Sequence, residues 1–280
     1  MVRLALISTS QSRPVDIRNL LNSIVTATEA NLEIEVFFIF VAQSKLVADV
    51  VEEYNIKSSR LKIEIVGSDI CSLSSARNLG LKLLQKENYD GKIDLIAFPD
   101  DDCTYPEEIF TDVVGWYQAK TKDIICRSYL YPGCNIPINN IIDRTSIISR
   151  VISFSFFIEY NKLINFDENL GVGTLYGAGE ETKYLFKVLG SKGKVEFCEN
   201  IMIFHPDRTG HTLSRTYNYS KGFGYLAWTY ICVPNIRNFY CAMRLIFGPS
   251  AKLILGRTNI KFYALDQLGR IVGFLKLARK

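Results

Sequence analysis

The chain has 280 residues, of which 48% are hydrophobic and 22% are charged, and this composition excludes a low-complexity or largely disordered protein. Its seven scattered cysteines and two histidines argue against a disulfide framework and a structural zinc site, and favour reduced thiols in a cytosolic protein. The net charge is only +4, but residues 205–280 hold twelve Lys and Arg against two Asp and Glu, so a basic tail follows an acidic body.

Short apolar runs alternate with segments of helical periodicity in the first part of the chain. Strands are predicted at 3–8, 34–41, 61–66 and 92–98, and helices at 15–30, 45–54, 74–87 and 106–118. This alternation predicts a parallel sheet with helices on both faces. In such sheets, ligands bind beyond the carboxyl ends of the strands.

The second part of the chain is less regular. Its predicted elements are a strand at 153–160, a glycine-rich loop running into a helix at 171–190, and one or two strands at 194–206. Helices dominate from His211 onward, with breaks predicted at Pro234 and at 248–249 because proline interrupts helices. The longest apolar run, 225–233, is much shorter than the about twenty residues that cross a bilayer, so no transmembrane helix is predicted.

Three consecutive aspartates, Asp100, Asp101 and Asp102, follow the fourth predicted strand. Adjacent carboxylates repel each other by about 1 kcal/mol in water and by more near a protein surface. Mg²⁺ and Mn²⁺ prefer oxygen ligands and commonly bind carboxylates together with substrate phosphates. The run therefore predicts a cation that holds a diphosphate. The alternative is a solvated turn in which Asp102 or Thr104 caps the helix that begins near Pro106.

Two further segments combine charged side chains with helix starts. "SLSSARNLGL" places Arg77 in the first turns of a helix, where a guanidinium reaches a phosphate or a base, unless it is simply an exposed arginine. "GAGEET" places Glu180 and Glu181 at a helix N-terminus. A neighbouring acid or burial raises the pKa of a carboxyl toward that of a useful base. The alternative is ordinary complementation of the helix dipole.

A histidine and a basic run follow the last predicted strand. His205 ends "IMIFHP" and is followed by Arg208, His211, Arg215 and Lys221. This run suits a diphosphate or a phospholipid-linked acceptor, whereas a single histidine at a strand end also fits a purely structural role.

These segments, in this order, resemble family 2 glycosyltransferases of the GT-A fold, particularly bacterial enzymes that build surface polysaccharides. The resemblance covers about residues 1–225 and rests on "STSQSR", "SSARNLGL", "FPDDDCTYP", "INFDENLGVGTLYGAGEET" and "FHP" followed by "RTYNYSKGFGYL". It implies an α/β fold with a Rossmann-like mixed sheet flanked by helices. The implied domains are a catalytic domain over 1–210, with a nucleotide-sugar half at about 1–105 and an acceptor half at about 106–210, and a basic, mostly helical extension over 211–280.

The resemblance also implies an inverting hexosyltransferase that uses a nucleotide-sugar, usually a UDP-sugar, and Mn²⁺ or Mg²⁺. The implied metal ligands are Asp101, Asp102 and His205. The implied donor-binding residues are Ser8, Thr9, Arg13, Gln43, Arg77 and Asp100. Glu181, or failing it Glu180, is the implied base, and Arg208, Arg215 and Lys221 are assigned to the diphosphate or acceptor. The sequence departs from the family pattern at two positions that bear on the choice of nucleotide. The second strand ends in "FVAQSK" without the usual aspartate, so Gln43 or Ser44 would substitute for it. Pro99 stands where many relatives have the first aspartate of the acidic motif.

The basic tail predicts peripheral attachment to an anionic membrane at the cytoplasmic face, where a lipid-linked glycan acceptor would be met. Residues 259–280 carry apolar side chains at helical spacing among basic ones, and packing of this last helix on the body is the alternative. No nucleic-acid-binding module is recognisable. Two other functions remain open, a nucleotidyltransferase and a non-catalytic glycan-binding relative. The first normally has a glycine-rich loop after its first strand, and "STSQSR" contains no glycine.

Overall fold

A computed structural model of the chain describes residues 1–54, 59–86, 92–119, 141–142, 153–189, 195–196, 203–206, 212–233 and 235–278. The strands are β1 Val2–Ser10, β2 Ile34–Ala42, β3 Leu61–Gly67, β4 Leu95–Ala97, β5 Ile141–Ile142, β6 Phe157–Glu159 and β7 Val195–Glu196. The helices are α1 Pro14–Ala30, α2 Lys45–Glu52, α3 Leu73–Lys86, α4 Ile109–Gln118, α5 Glu180–Leu189, α6 Leu213–Ile231, α7 Ile236–Ile254 and α8 Ile260–Ala278.

Five strands form the main sheet in the order β3-β2-β1-β4-β6. The first four are parallel and β6 runs antiparallel to β4, while β5 and β7 pair separately. Leu4 in the central strand β1 is level with Val36 on one side and Leu95 on the other. Because β1 and β4 are adjacent and parallel, the residues that follow them meet at one edge of the sheet. The predicted α/β sheet with helices on both faces is confirmed.

Two cores cover the two faces of the sheet. Side chains of α1, α2 and α4 pack on one face, and side chains of α3, α5, α6 and α7 pack on the other. The apolar β2 strand contributes to both cores, because its alternate residues point to opposite faces. Helices of the tail thus complete the second core of the body, and the predicted domain boundary at residue 210 stays a prediction.

Local structure departs from the sequence-based expectation at several places. The strand predicted at 153–160 is reduced to β6, flanked by short 3-10 helices at Ser153–Ser155 and Tyr160–Lys162. The helix expected from Pro106 begins at Ile109, and no side chain caps it, so Asp102 has another role. In the region predicted as strands at 194–206, the described residues contain β7 and, separately, an isolated bridge between Phe204 and Thr104.

The predicted helix break at 248–249 is wrong, because α7 continues through Pro249. A proline inside a helix leaves the carbonyl four residues earlier without its usual partner. Here that carbonyl belongs to Leu245, and it accepts a hydrogen bond from Nη1 of Arg270 on α8. A tertiary contact therefore satisfies the group that the proline leaves unpaired. The break expected around Pro234 separates α6 from α7, although Pro234 itself lies outside the described residues.

The last helix packs on the body through glycines. A Cβ atom on Gly273 of α8 would lie 2.0 Å from the Lys221 carbonyl oxygen, and one on Gly224 of α6 would lie 2.0 Å from the Arg270 carbonyl oxygen. The two backbones are thus in direct contact, which only glycine permits. Among the residues that the structure describes, no helix has the length and apolar character required to cross a bilayer.

We expect Gly273→Ala to lower the free energy of unfolding by about 1–3 kcal/mol, because the added methyl group forces α6 and α8 apart. Urea denaturation followed by circular dichroism measures the change. Gly248→Ala in α7 is the matched control, since the nearest atom to its added Cβ lies at 3.8 Å. Equal destabilisation by both substitutions would contradict this account of the helix contact.

Candidate active site

The acidic run follows β4, next to the end of β1. Ser10, at the end of β1, and Arg13, just after it, contact this run. Ser10 Oγ donates a hydrogen bond to Asp101 Oδ2 at 2.5 Å. Arg13 Nη1 lies 3.2 Å from Asp101 Oδ1 and 2.6 Å from Asp102 Oδ2. Arg13 is thus a shared counter-charge for two of the three aspartates. The carboxylate of Asp101 points toward Ser10 and Arg13.

Asp100, Asp102 and His205 form a cluster suited to a metal ion. One ligand atom from each lies within 4.8 Å of the others. His205 Nε2 lies 3.1 Å from Asp102 Oδ1, and its ring stacks on Phe154 at 4.6 Å between centroids. This packing fixes the imidazole beside the carboxylates. Of the three metal ligands that the resemblance implies, Asp102 and His205 are in this cluster, while Asp101 lies next to it and Asp100, assigned to the donor, takes the third place. The roles of all four residues stay predictions.

The electrostatics of the cluster fit a divalent cation. Burial raises the pKa of Asp100 above its usual value, although the charge of Arg77 opposes this. Burial also raises the pKa of Asp101 against the opposing effect of Ser10 and Arg13. For His205, burial lowers the pKa, but the hydrogen bond and charge of Asp102 outweigh it and the net pKa is raised. A cation bound between these carboxylates would favour their ionised form, and carboxylate oxygens are ligands that Mn²⁺ and Mg²⁺ prefer.

Arg77 is almost fully buried, at 1% exposure, and it is not the exposed arginine of the alternative interpretation. Its Nη2 donates to Asp100 Oδ1 at 2.7 Å and to Ser153 Oγ at 2.8 Å. The guanidinium carbon lies 5.5 Å from the centre of the Phe166 ring. Among the described residues, the buried Nη1 has no hydrogen-bond partner. A buried donor without a partner is costly, so a ligand is the natural acceptor for it.

Glu180 and Glu181 begin α5, as the sequence predicted. Glu180 is 5% exposed, and its carboxyl group lies against Gly171, whose φ of 101° leaves no room for a side chain. Within the described parts of the chain, its Oε2 lacks a hydrogen-bond partner. Glu181, the next residue of the helix, is of intermediate exposure as a whole residue. Burial acts on both carboxyl groups.

The pKa of each glutamate is raised, for related reasons. Burial raises the pKa of Glu180, and the charge of Arg77 opposes this. Burial and the charge of Glu180 together hold the pKa of Glu181 well above its usual range, again opposed by Arg77. Two neighbouring carboxyl groups that do not both ionise readily provide one proton acceptor at a higher pKa. Arg77 therefore interacts with the acidic cluster and with the glutamate pair.

A salt bridge fixes the position of α5, and no sequence pattern predicted it. Asp167 pairs with Lys183 of α5 and accepts a hydrogen bond from the Tyr225 hydroxyl of α6 at 2.9 Å. Burial opposes ionisation of Asp167, but hydrogen bonds from Lys183 and Asn169 lower its pKa to about 2. The ionised carboxylate thus ties the glycine-rich loop, α5 and α6 together.

A cleft of about 330 Å³ opens beside this loop. Its walls are formed by Glu168, Asn169, Thr174, Leu175, Tyr176 and Lys276. The same loop covers Glu180 through Gly171. The cleft combines an aromatic ring, an amide, a carboxylate and an ammonium group, which offer both apolar contact and hydrogen bonds to a ligand.

The predicted nucleotide-binding residues meet at the carboxyl ends of β1 and β2. Thr9 Oγ1 accepts a hydrogen bond from Gln43 Nε2 at 3.0 Å, and Gln43 Oε1 accepts one from the Cys71 backbone at 2.9 Å. Gln43 thus links three segments, and its buried amide is held by the protein itself. Ser8 is buried inside β1 at 1% exposure, one residue before Thr9. Ser44 Oγ donates to the Gln11 carbonyl at 2.7 Å.

Not all residues of the basic run are near the site. Arg208 and His211 lie outside the described residues. Arg215 donates to the Tyr219 hydroxyl at 2.9 Å, and Lys221 lies over the Tyr217 ring at 5.2 Å. Within the part of the chain that the structure describes, neither Arg215 nor Lys221 contacts the acidic cluster. Burial and the charge of Lys276 lower the pKa of Lys221, which places these two lysines near each other.

Comparison with known proteins was made at the level of sequence and of structure. Neither a protein-family model nor a curated protein matches the sequence. The structure of S. aureus TarS 1-349 in complex with UDP-GlcNAc matches with a TM-score of 0.64 at 14% identity, and the match covers 99% of this chain and 81% of that one. The mannosyltransferase PcManGT from Pyrobaculum calidifontis, in complex with GDP-Man and Mn²⁺, matches with a TM-score of 0.61 at 12% identity, covering 99% and 82%.

The chain has the GT-A-type glycosyltransferase fold. The agreement extends over almost the whole chain, so it includes the C-terminal helices. A longer S. aureus TarS structure matches with a TM-score of 0.56, and 54% of its length is covered. At identities of 11–14%, these likenesses establish the fold, and the roles of individual residues rest on the chain's own geometry.

Proposed function

We propose that the protein is an inverting glycosyltransferase that moves a sugar from a nucleotide-sugar to a hydroxyl group of a glycan acceptor. One observation carries this proposal: buried Arg77 pairs with Asp100 of the acidic cluster and also acts on the charges of Glu180 and Glu181. The proposed diphosphate site and the proposed base are thus both influenced by one guanidinium. The GT-A-type fold supports the same conclusion, since neighbours of this fold were solved with UDP-GlcNAc and with GDP-Man.

Asp100, Asp102 and His205 are the residues that would hold a divalent cation. When bound, such a cation neutralises negative charge on the diphosphate leaving group. Arg13 contributes a further positive charge beside Asp102, and the free Nη1 of Arg77 is available to a donor oxygen. These side chains are fixed by their ion pairs before the substrate arrives, so little reorganisation accompanies the reaction.

Glu181 is the base in this proposal. Its carboxylate accepts the proton of the acceptor hydroxyl as that oxygen forms a bond to the anomeric carbon. On the opposite face of the sugar, the bond from the anomeric carbon to the diphosphate oxygen breaks, and the nucleoside diphosphate leaves with the bonding electrons. A single displacement of this kind inverts the configuration at the anomeric carbon. Glu180 stays buried and positions Glu181 through its charge.

The cleft lined by Asn169, Tyr176 and Lys276 is the proposed acceptor site. Its loop directly precedes the glutamate pair in the chain, which supports placing the acceptor hydroxyl near the base. The ammonium group of Lys276 suits an acceptor that carries phosphate, such as a lipid-linked glycan. We therefore retain, as a proposal, a role in assembling a surface polysaccharide on a lipid carrier at the cytoplasmic face of the membrane.

Calorimetric titration with UDP and GDP, each with Mn²⁺ and with EDTA, tests the function directly. We expect one of the two to bind, with at least about tenfold weaker binding in EDTA, because the acidic cluster repels a diphosphate when no cation is present. Sugar transfer from the matching nucleotide-sugar to a glycan would then be measured. Absence of binding for UDP, GDP, CMP and dTDP under both conditions would contradict the proposal.

A further inference from the structure

The side of α7 that faces away from the body exposes a row of large apolar side chains. The exposed fractions are 80% for Ile236, 53% for Phe239, 57% for Tyr240, 58% for Phe247 and 84% for Ile254. Their spacing places them on one side of the helix over about 27 Å of its length. Cys241, Ala242 and Leu245, on the opposite side, are buried. We call this exposed set the outward row of α7.

A second apolar row lies on α8. Its exposed fractions are 64% for Ile260, 49% for Leu268, 44% for Ile271 and 47% for Leu275. The other side of α8, which includes Gly269 and Gly273, packs on α6. The packing of the last helix on the body therefore leaves its own apolar stripe uncovered. Exposed apolar side chains that form a contiguous patch commonly mark an interaction surface.

The charge around the two rows has one sign. Lys252, Arg257, Lys261 and Lys276 are exposed. Asp266 is the one acidic residue in the sequence between positions 212 and 278. Its carboxylate accepts hydrogen bonds from Ser220 of α6 at 2.5 Å and from Arg270 of α8 at 2.7 Å. The exposed cations of α7, α8 and their connection thus face solvent with no exposed carboxylate on the same helices.

We propose that α7 and α8 dock the protein on an anionic lipid bilayer, with the two rows inserted at the level of the headgroups. A helix with one apolar face lies in the interface without crossing the membrane, and aromatic side chains such as Phe239, Tyr240 and Phe247 favour that depth. The surrounding cations attract anionic headgroups. A second copy of the chain fits less well, because a symmetric contact would bring the same cations together.

This docking surface has a consequence for the proposed reaction. Lys276 lies in the acceptor cleft and directly follows Leu275 of the second row. Docking would therefore hold the mouth of the cleft at the bilayer surface. This consequence, a lipid-linked acceptor entering from the membrane side, rests on the proposed function, whereas the docking itself does not.

Co-sedimentation of the full chain with phosphatidylcholine vesicles, with and without phosphatidylglycerol, tests the docking. We expect binding to the phosphatidylglycerol vesicles that weakens at high salt. Phe239→Ser combined with Phe247→Ser is expected to weaken that binding by at least about tenfold, since two large apolar side chains no longer leave water. The matched control is Leu32→Ser combined with Leu46→Ser, which removes two apolar residues of the body with exposures of 78% and 57%.

Co-sedimentation and analytical ultracentrifugation distinguish membrane docking from dimer formation. Wild-type protein that stays in solution with phosphatidylglycerol vesicles at low salt, or equal losses in the two double variants, would overturn the docking. A concentration-dependent dimer in analytical ultracentrifugation that the Phe239 and Phe247 substitutions abolish would also overturn it and make the row a dimer interface. Nucleotide binding by calorimetry in the same preparations judges the proposed function independently, and circular dichroism verifies that each variant is folded.

Discussion

Replacing Glu181 by glutamine is expected to lower turnover by about 10²–10⁴-fold while nucleotide affinity stays unchanged. The amide is nearly the same size as the carboxyl group but accepts no proton, and among the described residues no hydrogen bond or ion pair joins Glu181 to the acidic cluster or to Arg13. Turnover with the donor found by titration, and the dissociation constant of the matching nucleoside diphosphate, are the two measurements. Full turnover in this variant would rule out Glu181 as the base. A parallel loss of nucleotide binding would instead indicate a misfolded site.

The pH profile gives the same assignment a sharper test. Burial and the charge of Glu180 hold the pKa of Glu181 well above its usual range, so wild-type turnover should rise with pH as Glu181 loses its proton. In Glu180→Gln the charge that raises this pKa is gone, and the acidic limb of the profile should move to lower pH. An unmoved limb would mean that another group limits the reaction. Glu180→Gln is the matched control for Glu181→Gln, because each variant neutralises one carboxyl group at the start of α5.

Asp102→Asn should abolish the effect of Mn²⁺ on nucleotide binding. Asp102 is the buried member of the acidic cluster and contacts both His205 and Arg13. Even residues that only support a metal ligand change metal affinity by about 10–100-fold, so loss of a ligand should have at least this effect. Titration of the nucleoside diphosphate with Mn²⁺ and with EDTA measures it. We expect equal, weak binding in the two conditions.

Asp101→Asn is the control for this experiment. Each substitution removes one contact of Arg13, but only Asp102 belongs to the cluster with Asp100 and His205. We therefore expect Asp101→Asn to keep its dependence on Mn²⁺. The reverse result, with dependence lost in Asp101→Asn and kept in Asp102→Asn, would show that the cation is held by Asp101, as the sequence resemblance implied.

Some features of the protein follow from local sequence. Runs such as "IEVFFIFV" and the apolar spacing of residues 15–30 depend only on near neighbours, so the parallel strands and their covering helices were predictable. The position of the acidic run after β4, and of Glu180 and Glu181 at the start of α5, follows from the same pattern. Sequence therefore placed the acidic run at the end of a parallel strand, where ligands bind in such sheets, and the two glutamates at a helix start.

Which side chains meet within that site depends on residues far apart in the chain. Arg77 contacts Ser153, 76 residues away, and Ser10 contacts Asp101, 91 residues away. Ser10 and Ser153 were not among the predicted site residues. Ser10 had a weak signal, its place at the end of β1, and Ser153 had none. No local pattern distinguishes Asp100 and Asp102, which face His205, from Asp101, which faces Ser10.

The tail shows the same division between local and tertiary information. Its basic character and helical spacing are visible in sequence, but proline at 249 predicted a break that the Arg270 guanidinium makes unnecessary. Contact through Gly224 and Gly273 decides which face of α8 is covered. The sequence by itself determined the order and type of most elements, because hydrophobic periodicity acts over a few residues. The tertiary structure decided the partners of the charged groups and the exposed faces of α7 and α8, because packing brings together residues that are distant in the chain.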